Sequence, residues 1–258
     1  MPLVARHMRR ACLAAVLTFA AATPCELTAQ RGGFGRGGGT DVEPNVPYDG
    51  RFTFVRLQYT NLGGRGGWAF DYPAMERNFM TVLSDLTTIH PHVRGSNIHT
   101  MDDPALFKYA VAYLSEPGYW DPSPSEVAGL RTWIAKGGFL IVDDFFGRQW
   151  DNFERAMRLV LPDARIVPLD VTHPVFHSFF SLKTLDGLYH PQNRSYRAQY
   201  LGIFEDNDPT KRLRVIINYN NDIGDYMEWS GEGWYPVNFT NDAYKLATNY
   251  LVYGLSSR

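Results

Sequence analysis

Cysteine is almost missing from this 258-residue chain: only Cys12 and Cys25 occur, both close to the amino terminus. The rest of the chain therefore holds no disulfide, no thiolate nucleophile and no cysteine metal ligand. A basic surplus is lacking as well, with 25 Lys and Arg against 27 Asp and Glu and a formal net charge of −2. That balance lacks the electrostatic footprint of nucleic-acid binding. Long apolar runs are absent too. The stretch from Ala11 to Ala22 is about a dozen residues, whereas a helix crossing a bilayer core of roughly 30 Å needs about 20. Neither a G-K-[ST] phosphate loop nor a G-x-S-x-G nucleophile elbow is present.

What the amino terminus does hold is ordered. Arg6, Arg9 and Arg10 precede the apolar run, and Leu27-Thr28-Ala29 closes a small-residue stretch. This is the sequence of charge, apolar core and cleavage site that marks a secretory signal peptide. Residues 1–29 are therefore expected to be removed, placing the mature protein in the periplasm or outside the cell with no stable membrane span. Pro24 before Cys25 departs from the small residue a lipidation site needs. Loss of three arginines and one glutamate would bring the charge to −4. Residues 30–50 combine glycine, proline and charge without apolar periodicity and are expected to be a flexible leader. The G-x-G-x-x-G from Gly33 to Gly38 follows no strand and opens no helix, so it fails the context a dinucleotide site requires.

From residue 51 to 258 the pattern predicts one domain. Strands are expected at Phe52 to Tyr59, Asn97 to Thr100, Tyr109 to Leu114, Gly138 to Val142, Arg165 to Pro168, Tyr200 to Phe204 and Leu213 to Asn218. Helical spacing predicts a helix capped at Asp71 and running to about His90. Others run from Ser123 or Ser125 to Lys136, from Trp150 to Leu161, and from Asn241 to about Gly254. The GFLIV run is too short for a helix and bounded by glycine and acid, which suits a central parallel strand. The alternation predicts an α/β fold: a three-layer, flavodoxin-like sandwich with a mainly parallel sheet and helices on both faces.

In such sheets ligands collect at the carboxyl ends of the strands. The loops expected there carry Thr60 to Trp68, Ser115 to Trp120, Asp143 with Asp144, and Asn221 with Asp222. Arg65, within Gly63 to Gly67, offers either an anion cradle or a plain surface loop. Asp143 and Asp144 offer a general base or oxygen ligands for a hard cation, or else cap a turn. His173 and His177 have metal-pair spacing, but Pro174 favours an extended turn. Ser115 stands at a strand end beside Glu116. Trp68 and Trp120, with Glu116 and Arg65, are candidate ligand contacts, with carbohydrate stacking as one use and core packing as the other. The candidate acid–base or metal-binding set is Asp143, Asp144, His177 and Asp222.

Several ordered segments, FVRLQY, DDPALFKYAVAYLSE, GGFLIVDDFFG, DVTHPVFHSFF and YNNDIGDYMEW, together resemble the bacterial domain-of-unknown-function 4159 family across about residues 50–255. The resemblance implies a class I glutamine amidotransferase-like fold and work in the cell envelope. It does not imply a reaction. Amidotransferases of that superfamily carry a cysteine on the turn after a central strand, and the YLSEPG turn here has none. The His-Pro turn resembles those of members without amidotransferase activity, implying a structural His173. Two accounts follow: an envelope domain binding a small molecule, carbohydrate or protein partner, or a hydrolase using the strand-end carboxylates and a histidine, with or without a divalent metal.

Overall fold

The apolar run at the middle of the chain becomes strand β4, Phe139–Phe145. In the computed structural model, which describes residues 42–64 and 67–256, six further strands assemble around it. They are β1 (Val55–Gln58), β2 (Asn97–Thr100), β3 (Val111–Ser115), β5 (Ile166–Pro168), β6 (Gln199–Phe204) and β7 (Leu213–Tyr219). Their order across the sheet is β2-β1-β3-β4-β7-β6-β5. Neighbours from β2 to β7 run parallel, while β6 runs antiparallel to both β7 and β5. The sheet is thus mostly parallel, with one reversed strand near an edge.

Period-two alternation sorts the strand side chains onto two faces. Phe139, Ile141, Val111, Tyr113 and Ile216 meet helices α1 (Ala74–Leu86), α4 (Ile223–Glu228) and α5 (Val237–Ser256). Leu140, Val142, Ala112, Leu114 and Ile217 meet α2 (Pro124–Ala135) and α3 (Gln149–Val160). Two apolar cores therefore sandwich the sheet, as the alternation of strands and helices requires. Among the described residues no helix is long and apolar enough to cross a membrane.

Local chemistry explains most boundaries. Ser123 accepts from Glu126 N while the Glu126 carboxylate accepts from Ser123 N, a capping box that starts α2 at Pro124. Helix α1 departs from expectation. Asp71 lies in the left-handed region at φ 64° and caps nothing, and the helix starts at Ala74 and stops at Leu86. Strand β4 outruns its apolar letters, so Asp143 and Asp144 lie inside the strand rather than after it. Helix α4 is only six residues and too short to show a period.

The segment expected as a free leader is docked from residue 42 onward. Asn45 Nδ2 donates to Ile98 O (2.9 Å) and Asn45 Oδ1 accepts from Ile98 N (2.8 Å), while Asn97 Oδ1 accepts from Val46 N (2.7 Å). These bonds occupy backbone groups of β2 that an edge strand would otherwise leave open.

Candidate functional site

A single extra residue at the end of β4 sets up the carboxyl rim. Pairing with β7 is regular through Val142 and resumes at Phe145 after a register shift. Asp143 keeps the alternation and points to the α4 and α5 face. Phe145 returns to the α3 face, where it packs on Phe153. Asp144 is the inserted residue, at φ 62°. A bulge of this kind re-aims one side chain without breaking the sheet. Asp71, Glu116 and Asn220 also have left-handed backbone, with φ of 64°, 45° and 59°. Such conformations in non-glycine residues concentrate where function constrains the chain.

The two neighbouring aspartates are held differently. Asp143 is fully buried and accepts from Tyr113 Oη (2.8 Å), Asn218 Nδ2 (3.0 Å), Ile223 N (2.9 Å) and Gly224 N (3.1 Å). Asn218 in turn accepts from Tyr250 Oη (2.9 Å). Asp143 thus ties β3, β7 and the start of α4 together. Burial pushes its carboxyl up, the four donors pull it down, and it stands at about 6. Asp144 has fewer partners. Ser115 Oγ donates to its Oδ2 (3.1 Å), and His190 Nε2 lies 3.2 Å from its Oδ1. Burial and the Glu116 charge raise its carboxyl well above the ordinary range.

His190 is the histidine that reaches the rim. Its Nδ1 faces the N–H of Gln192 at 3.3 Å and must accept there, so the neutral ring carries its proton on Nε2 and donates to Asp144. Burial lowers its pKa to about 4, so the ring is neutral around pH 7. Phe146 packs against it at 4.3 Å. Asp222 completes the group. It caps α4 through Asp225 N (2.8 Å), and burial followed by the Asp144 charge raises its carboxyl. Ligand-type atoms of Asp144, His190 and Asp222 lie within 4.8 Å of one another.

Asp71, Asp225 and Glu228 form a second group on the same scale, and this one is half-exposed. Gly224 joins the two groups. A Cβ built on it would lie 2.5 Å from Asp71 Oδ2, 2.9 Å from Tyr113 Oη and 3.3 Å from Asp222 Oδ1. Only glycine leaves that space open. Burial raises Glu228 and Glu116 each to about 7. The cation nearest in charge, Arg56, is completely buried beneath them. Its Nε pairs with Glu76 at 2.5 Å, and its Nη1 donates to Trp68 O and Phe70 O. Burial works against that guanidinium, but the Glu76, Tyr113 and Asp71 charges outweigh it and keep its pKa above the ordinary value.

The structure gathers some of the sequence-predicted residues and separates others. Asp143, Asp144 and Asp222 share the rim, and Glu116 lies beside it, accepting from Gly67 N. His177 does not join them: it is exposed and bonded within its own loop to Ser181 Oγ and Val171 O. His173 is a turn residue, its Nδ1 accepting from Val175 N, packed against Phe204 and Tyr253. Trp120 is fully buried against Tyr59, so it is a core residue and not a stacking platform. Trp68 is half-buried and supplies its carbonyl to Arg56. Arg65 lies outside the described residues.

His190 lies outside the candidate set drawn from the strand ends, although its sequence carries a signal. It precedes Pro191 as His173 precedes Pro174, and the two His-Pro turns fold alike, each Nδ1 accepting the N–H two residues on. A cavity of about 570 Å³ lies elsewhere, between α3 and β5–β6, lined by Trp150, Met157, Arg158, Ile166 and Ile203. Its titratable lining is Glu154, Arg158 and Arg165, with Glu154 and Arg158 paired to each other, whereas the rim gathers buried carboxyls around a neutral histidine, so the chemistry favours the rim. The model of a family described as a domain of unknown function (DUF4159) matches residues 53–255. A search of curated proteins finds no match.

Proposed function

The chain belongs to this DUF4159 family, and from that premise we propose that it is an exported ligand-binding domain of the cell envelope. Its site is the rim around Asp144, His190 and Asp222, and it has no amidotransferase activity. The observation that carries this reading is the convergence of those three buried side chains within 4.8 Å at the carboxyl edge of the sheet, where ligands of parallel α/β sheets collect. A neutral imidazole beside carboxyls held toward protonation provides both donors and acceptors for a polar ligand such as a sugar or an amino compound.

The resemblance to amidotransferase-like folds supports the architecture and argues against that reaction here. The left-handed turn directly after β3 holds Glu116, not a cysteine. Ser115 hydrogen-bonds to the Asp144 carboxyl rather than to an imidazole, so it lacks the adjacent base that activates a serine. The order of charge, apolar run and small residues at the amino terminus supports export.

A second reading, a hydrolase, is favoured by one feature: the Asp144 and Asp222 carboxyls approach each other on the scale of a retaining glycosidase pair, which is about 5 Å. A thermal-shift screen of the full chain against neutral sugars and amino compounds, followed by product analysis, separates the two. The binding reading expects a compound that raises Tm in the wild type but not in Asp144→Asn, and that is recovered unchanged. Turnover abolished by Asp144→Asn would replace it with the hydrolase. Equal stabilisation of both proteins would move the site off the rim.

A further inference from the structure

We propose that the groove between α3 and β5–β6 binds a single-chain amphipathic anion, a hydrocarbon chain ending in a carboxylate, at a site distinct from the rim. The topology leaves this groove open. Helices α2 and α3 cover one face of the sheet, but the connection from β5 to β6 passes over the other face, where Val175, Phe176 and Leu188 join the core of α1, α4 and α5. Ile166, Leu201 and Ile203 therefore meet only the flank of α3 among the described helices. The space that results is about 570 Å³, within the roughly 300–1,000 Å³ of small-molecule sites.

The lining selects the occupant. Met157 and Leu161 on the helix side and Ile166, Leu201 and Ile203 on the sheet side are all aliphatic. Leu201 and Ile203 form a deep floor, only 9% and 3% exposed. A floor at that depth is out of reach of the flat surface of a protein partner, whereas a slender chain can lie along it and gain affinity with every methylene removed from water.

The charge at the mouth has the sign that a carboxylate needs. Glu154, the one acid of the lining, accepts from Trp150 Nε1 (3.1 Å) and from Arg158 Nη2 (2.6 Å), so its charge is already matched. Arg165 stands on the facing wall. Its backbone N donates to Asn207 Oδ1, but its exposed guanidinium forms no hydrogen bond or ion pair with any described residue. A carboxylate head would satisfy that guanidinium through two parallel N–H···O bonds. A cationic head would be repelled by it.

This site does not rest on the rim reading, because no rim residue lines it. Isothermal titration of the full chain at pH 7.5 with octanoate, decanoate and dodecanoate tests it, with dodecyltrimethylammonium as the same chain under the opposite charge. The expected result is one carboxylate per chain, binding about fourfold tighter for each added methylene, and at least about tenfold weaker binding of the ammonium. Arg165→Ala should weaken dodecanoate binding about tenfold. Ala164→Phe, which fills the groove from its half-buried wall, should abolish it. Asp144→Asn should bind dodecanoate as the wild type does. Because a filled groove could disturb folding, quenching of tryptophan fluorescence by 11-bromoundecanoate gives a second location test, and Trp150→Phe should remove most of it. Absence of carboxylate binding, equal affinity for the ammonium, or undiminished binding by Arg165→Ala and Ala164→Phe would each overturn the proposal. So would a dimer, seen by native mass spectrometry, that Ala164→Phe dissociates, since the groove would then belong to a second copy of the chain.

Discussion

Asp143 and Asp144 are adjacent in sequence and identical in chemistry, and the strand end treats them in opposite ways. The first keeps the strand's alternation, sinks to full burial and receives four hydrogen bonds. The second is displaced by the bulge onto left-handed backbone and touches Ser115 and His190. A carboxylate with four donors is part of the framework. On the proposed binding reading, the one with left-handed backbone and only two polar partners is the one a ligand would meet. The contrast teaches that burial alone does not separate structural from functional acids. The count of donors does.

The largest expected effect sharpens the structural half of this comparison. Asp143→Ala would leave Tyr113, Asn218 and two backbone N–H groups of α4 facing an apolar gap, and should cost about 3–5 kcal/mol, read from urea unfolding. A loss under about 1 kcal/mol would show that the network is incidental. Gly224→Ala should come next, at about 1–3 kcal/mol, because its Cβ would overlap Asp71 Oδ2 and Tyr113 Oη.

Asp144→Asn should change stability by less than about 1 kcal/mol, since asparagine tolerates left-handed backbone and replaces a carboxyl that burial already holds toward neutrality. The same substitution should abolish ligand binding at the rim. A large loss of stability with binding intact would reverse the roles assigned to the two aspartates.

The smallest effect is in pH. Glu116 rises from 4.5 to about 7 and Asp143 from 3.8 to about 6 on folding. Between the unfolded and folded values the native state binds the extra protons, so stability is greatest below about pH 4.5 for these groups and declines as pH rises through 6 to 7. His190 acts in the opposite sense. Its fall from 6.5 to about 4 makes its contribution complete above 6.5 and lost as pH drops toward 4. Tm is expected to fall between pH 5 and 7.5, and Glu116→Gln to reduce that slope. An unchanged slope would contradict the raised carboxyl.

The comparison also marks how much was readable from residue order. The GFLIV run announced β4, Ser123 or Ser125 bracketed the start of α2, and strand Asn97 to Thr100 was found at its observed bounds. Those features are local, and local chemistry encodes them. The bulge is not, because a single inserted residue leaves no mark in a period-two pattern only four letters long. The reversed direction of β6 was equally hidden, since side-chain alternation is the same in parallel and antiparallel strands. Asp143, Asp144 and Asp222 were found because acids after apolar runs stand out. His190 was not among them because its His-Pro pair is one of three, with His90-Pro91 and His173-Pro174, and only the tertiary fold carries one of the three to the rim while His177 stays in its own loop. The docking of residues 42–50 rests on Asn45 and Asn97 side chains pairing with backbone, which composition alone reads as loop.

The account depends most on the rim being where a ligand goes. A crystal structure of the chain soaked with divalent cations and a mixed panel of sugars and amino compounds tests this directly. Ligand density contacting Asp144, His190 or Asp222 is the expected result. Density confined to the groove between α3 and β5–β6, with the rim side chains unmoved, would contradict it.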